Sequence, residues 1–146
     1  MATNYTKTAR VAHPRGVWNA SGSTIPANVC LVLDSTPEVS DMPSVAVPGT
    51  ASTPTNFMGV TTSAIPNGRV GNVISDEGDE VAILADVAGG SISAGARLTI
   101  STTVLKEGYV KADTSASVLK VGYALEGATA DGQLIRVKLS PKMAEA

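Results

Sequence analysis

A chain of 146 residues, 43% hydrophobic and only 16% charged, is long enough for one domain around one apolar core. A formal charge of −2 gives no global attraction to nucleic acid or to an anionic membrane, so neither is an expected partner. With one Phe, one Trp and three Tyr, the apolar mass is Ala, Val, Ile and Leu, a composition of short strands and small-residue turns.

Residues 1–24 are polar, with isolated apolar residues at Tyr5, Val11, Val17 and Trp18. No helical or alternating period runs through them. Such a segment buries too little surface to offset its ordering entropy, so it is expected to be an extended arm that orders against a partner. Lys7, Arg10 and Arg15 bring residues 1–33 to +3 and leave −5 on the other 113. A basic leader that docks separately is one reading, and chance scatter of three charges is the other. Trp18 is either a satellite core contact or an anchor in a partner's pocket. No stretch reaches transmembrane length and no apolar signal region opens the chain, so export is not expected. Asn19-Ala20-Ser21 is accordingly not expected to carry a glycan.

Residues 25–146 are expected to form a single β domain. Residues 25–33 read as its first strand, with Cys30 a buried, inert thiol in the run Val29-Cys30-Leu31-Val32-Leu33. As the single cysteine it excludes an internal disulfide. Half of residues 34–57 are Pro, Ser or Thr, with prolines at 37, 43, 48 and 54. Proline lacks the amide donor, so this stretch reads as a long loop without a central strand.

From Met58 to Pro141 short alternating runs are separated by turn residues. Val81, Ile83 and Ala85 share one face, as do Leu98 and Ile100, then Leu119, Val121, Tyr123 and Leu125, then Ile135, Val137 and Leu139. Turn signals stand at Pro66-Asn67-Gly68, Asp76-Glu77-Gly78-Asp79, Glu107-Gly108 and Asp131-Gly132. Six to eight short, mostly antiparallel strands follow, in a small barrel or a sandwich. Residues 85–96 have room for a short helical turn, but three glycines argue against a long one.

The residues offer little chemistry. His13 is the single histidine and precedes Pro14 in the expected arm, so neither a histidine metal site nor a Ser-His-Asp arrangement is framed. Gly89-Gly90 lacks the Lys-Ser/Thr of a phosphate loop. Asp76, Glu77, Asp79 and Glu80 read as a solvated hairpin tip, with a weak cation site as the alternative. Tyr109 and Tyr123 fall in expected strands, where core packing explains them. No enzyme activity, cofactor or metal is expected.

The string from Ile92-Ser93-Ala94-Gly95-Ala96-Arg97-Leu98-Thr99 through Gly108-Tyr109-Val110-Lys111-Ala112 resembles the small capsid decoration, or cement, proteins of tailed phages. The likeness continues in Val121-Gly122-Tyr123-Ala124-Leu125-Glu126-Gly127-Ala128-Thr129-Ala130-Asp131-Gly132 and ends in Leu134-Ile135-Arg136-Val137-Lys138-Leu139. It covers residues 58–140 well and the opening Met1-Ala2-Thr3-Asn4-Tyr5 weakly, and it leaves out the loop at 34–57. It implies an all-β body, a barrel or β-tulip, that assembles as a homotrimer on the outer surface of the expanded virion head. There it would cement neighbouring subunits of the major capsid protein. Tyr5, Lys7, Arg10, Val11, Arg15, Val17 and Trp18 are then the expected capsid-binding residues, and deleting residues 2–20 is expected to leave the body folded. A tail- or fibre-associated β module and a sugar-binding module on the capsid surface, reading sugars through Trp18 or Tyr109, stand as alternatives.

Overall fold

The computed structural model describes residues 14–51 and 53–143. Within them the chain is all-β. Five strands close a barrel: β1 (Pro14–Asn19), β2 (Cys30–Leu33), β3 (Ser44–Ala46), β4 (Gly59–Thr61) and β5 (Val70–Ile74), in the order β1-β3-β2-β4-β5. Five more form a second sheet: β6 (Glu80–Leu84), β7 (Arg97–Ile100), β8 (Val110–Ala112), β9 (Lys120–Ala124) and β10 (Leu134–Lys142), in the order β6-β10-β9-β7-β8. β1 and β3 run parallel, and the other strand pairs are antiparallel.

One row of side chains joins the two units. Cys30, Val60 and Ile74 are register partners across β2, β4 and β5. They face out of the barrel into the core of the second sheet, among Ile83, Leu98, Val121, Ile135 and Leu139. The neighbouring residues Leu31 and Val73 point the other way, into a barrel core with Val17, Ile25, Val29, Val45 and Ile65. Barrel strands buried on both faces thus knit the two sheets together. Burial pushes the Cys30 thiol far above its ordinary pKa, consistent with an unreactive sulfur.

Gly108 seals the same junction. Its carbonyl accepts a hydrogen bond from the Cys30 N–H at 2.7 Å, and its φ is +89°. A Cβ there would stand 2.7 Å from the Cys30 carbonyl oxygen, so only glycine fits without a shift of backbone.

Two expectations about where the strands lie need correction. Residues 14–24 are not part of an arm. Pro14–Asn19 is β1, which closes the barrel through five register pairs with β5. The sequence hides this strand because an inward position is polar. Asn19 is fully buried, and its amide donates to the Ser23 and Ile65 carbonyls at 2.8 and 2.7 Å. The loop at 34–57 also contains a strand. Ser44–Ala46 fits between Pro43 and Pro48 and lies between β1 and β2, where Val45 is fully buried. The prolines bound the strand and leave its ladder donors in place, and the Pro43 carbonyl accepts from the Trp18 N–H at 2.9 Å.

The expected turns hold, and seven strands, β4 to β10, occupy the alternating region. Residues 85–96 form two turns and no helix. The turn at Asp76–Asp79 is not a hairpin tip. It carries the chain from β5 in the barrel to β6 in the second sheet, and Asp79 is buried.

Candidate interaction surfaces

β1 presents its expected site residues to three different surroundings. Val17 is buried in the barrel core, so it offers no apolar surface to a partner. Trp18 is half-buried on the barrel exterior, directly opposite the exposed Val70. Arg15 reaches back to the inter-sheet turn and pairs with Asp76 at 2.8 Å. With its side chain 65% exposed, that pair contributes at most about 1 kcal/mol. A groove of about 730 Å³ opens beside Arg15, between Phe57, Met58, Asp76, Glu77 and Pro141. Tyr5, Lys7, Arg10 and Val11 lie outside the described residues.

The outer face of the second sheet is a further surface. Glu80, Lys138, Tyr123 and Arg97 are successive register partners across β6, β10, β9 and β7. The Arg97 guanidinium lies over the Tyr123 ring, 4.4 Å from its centroid. Leu134 and Arg136 continue the face along β10, and Leu125, whose N–H donates to the Arg136 carbonyl, adds to its apolar part. The alternation in 119–125 placed Tyr123 and Leu125 in the core, but both are exposed, while Gly122 and Ala124 face inward. The reason is backbone proximity. A Cβ on Gly122 would overlap the Lys138 carbonyl oxygen, so β9 approaches β10 with its smallest residues.

The third surface is a turn that sequence reading missed. Val104 and Leu105 are 65% and 85% exposed, and Leu105 holds a φ of +70°. Left-handed backbone costs a residue with a Cβ roughly 1–2 kcal/mol. A carboxylate clamp lies beneath. Buried Asp86 accepts hydrogen bonds from Ser101 Oγ (2.6 Å), Thr103 Oγ1 (2.8 Å) and the Ala88 N–H (3.0 Å). Lys106 Nζ lies 3.7 Å from Asp86 and 2.6 Å from Asp131, which also accepts from the Val87 N–H at 2.7 Å. Burial alone would raise the Asp86 pKa, but the bonds from Ser101, Ala88 and Thr103, with Lys106 nearby, hold it below the ordinary value. The hydrogen bond from Lys106 lowers Asp131, and Asp131 in turn raises Lys106. The residues are far apart in sequence, so no local motif announced them.

For chemistry, no group of three or more His, Cys, Asp or Glu gathers into a metal-holding cluster among the described residues. The arrangement offers surfaces: an apolar turn held on a rigid base, a mixed cationic and aromatic sheet face, and a groove at the start of β1.

A solved structure gives this architecture a counterpart. The N-terminal base of the head fibre protein gp8.5 of bacteriophage phi29 superposes with a TM-score of 0.62 at 20% identity, covering 92% of this chain and 100% of that one. The chain shares its fold with a phage head-fibre base. No protein-family model and no curated protein sequence matches it. At this identity the likeness concerns the fold, and the function must be argued from the surfaces.

Proposed function

We propose that this chain is a structural protein of a tailed-phage head, attached to the outside of the shell through the major capsid protein and acting without catalysis. The observation that carries the proposal is the shared fold, which spans 92% of this chain and the whole of a head-fibre base. The resemblance of residues 58–140 to capsid cement proteins points the same way. In the finer form of the proposal the chain assembles as a homotrimer and cements neighbouring capsid subunits. Three linked copies multiply weak contacts into tight attachment. A leader with Lys7 and Arg10 and no acid among residues 1–13 suits an acidic shell.

A second reading follows from what the structural neighbour is. That protein is the base of a fibre, so this fold also suits an anchor that carries further parts away from the head. Electron microscopy of shells incubated with the chain separates the readings. A cement protein leaves only its own body on the shell, whereas a fibre base carries further density away from it.

The turn at Val104–Leu105 gives a sharper test of surface function. An exposed leucine in left-handed backbone lowers stability without filling the core. Leu105→Gly should raise the unfolding free energy by about 1 kcal/mol in urea titration and weaken head binding. Unchanged binding by the stabilised variant would remove this turn from the contact surface.

A further inference from the structure

We infer that the second sheet carries a carboxylate-binding pocket built around Lys120, which receives an acidic side chain from a protein partner. The pocket measures about 210 Å³ and is lined by Arg97, Ser115, Ala116, Val118, Lys120 and Met143, among others. Lys120, at the start of β9, is only 6% exposed. Its ammonium donates to the carbonyls of Ser115 and Val118. An ammonium has three donors, so one remains for the cavity.

Buried charges are normally paired, because desolvation costs several kcal/mol per ion. Among the described residues no carboxylate pairs with Lys120. Arg97 has the Tyr123 ring against its face and no carboxylate on its edge, where a planar fork of N–H donors matches a carboxylate. Lys120 and Arg97 therefore bring two cations to one small cavity, and an anion entering it meets both.

Size and lining define the anion. Pockets for drug-sized ligands run from about 300 to 1,000 Å³, so this one admits a side chain or a small oxyanion. Ala116, Val118 and Met143 give it an apolar wall. A hydrated phosphate gains nothing there, whereas the methylene stem of a glutamate does. An acidic side chain fits both features, with its stem on the wall and its carboxylate between Lys120 and Arg97. The identity of the partner, a subunit of the head, rests on the reading proposed above, but the class of ligand does not.

The test is an NMR titration of the full ¹⁵N-labelled chain with N-acetyl-glutamate amide, against N-acetyl-glutamine amide and inorganic phosphate at constant ionic strength. The glutamate probe should give saturable shifts at Ser115, Val118 and Lys120 in the millimolar range, with the glutamine probe inert. Lys120→Met keeps the volume and removes the charge, and it should weaken the effect at least tenfold, as should Arg97→Gln on the opposite wall. Equal shifts from both amides, tighter binding of phosphate, or wild-type shifts in both variants would overturn the assignment. If the pocket binds the glutamate probe and the wild-type chain ignores heads, the head reading fails and the carboxylate pocket stands.

Discussion

Replacing Asp86 by alanine should lower the unfolding free energy by about 3–5 kcal/mol, a large share of the roughly 5–15 kcal/mol that holds a domain folded. The carboxylate ties together three stretches distant in sequence. It accepts from Ser101, Thr103 and Ala88 and faces Lys106, which in turn holds Asp131. Removing it strands two hydroxyls and leaves Lys106 with one carboxylate in place of two. The same clamp sets a pH window. Asp86 and Asp131 have lowered pKa values in the fold. Their contribution is therefore complete above the unfolded value of about 4 and fades as pH falls through the lower folded values. Lys106 is raised, so its contribution is complete below about 10.4 and fades as pH rises beyond it. Urea midpoints should be flat between these limits. Below pH 4 the wild-type midpoint should fall more steeply than that of Asp86→Ala. Parallel acid limbs would show that the clamp does not contribute through Asp86.

Two deletions should give opposite outcomes. Removing residues 2–20 takes away β1, and with it Val17 from the core and the strand that closes the barrel between β3 and β5. That variant should lose its cooperative thermal transition. Removing residues 2–12 spares every residue of β1, so the fold should persist with a melting temperature within a few degrees of the wild type. If the leader carries the attachment, this shorter deletion should still reduce head binding by at least tenfold. Full binding by the folded 2–12 deletion would take Tyr5, Lys7, Arg10 and Val11 out of the interaction. A cooperative transition in the 2–20 deletion would contradict the role of β1 as a barrel strand.

Those deletions mark where the sequence was legible and where it was not. The strands with strict alternation were readable, since Ile135, Val137 and Leu139 are all buried as their period requires. β1 was not, because Asn19 occupies an inward position and is satisfied by carbonyls that only the folded chain brings near. β3 was masked by its flanking prolines, although its three residues contain none. On β9 the periodic reading reversed at Gly122, where close approach to β10 overrides side-chain size. The interaction surfaces were harder still. Arg15 and Trp18 are exposed or half-exposed as a contact requires, but Val17 is core. The Asp86 clamp and the Lys120 pocket are assembled from distant segments, and no spacing rule anticipates them.

The proposal that this protein works by surface contact starts from its fold likeness to a fibre base. Cryo-electron microscopy of the virion that encodes the chain tests this most directly. The account predicts density for the barrel and the second sheet on the outside of the head, touching the major capsid protein. Virions that contain the polypeptide only in the tail, or heads that lack it altogether, would contradict it.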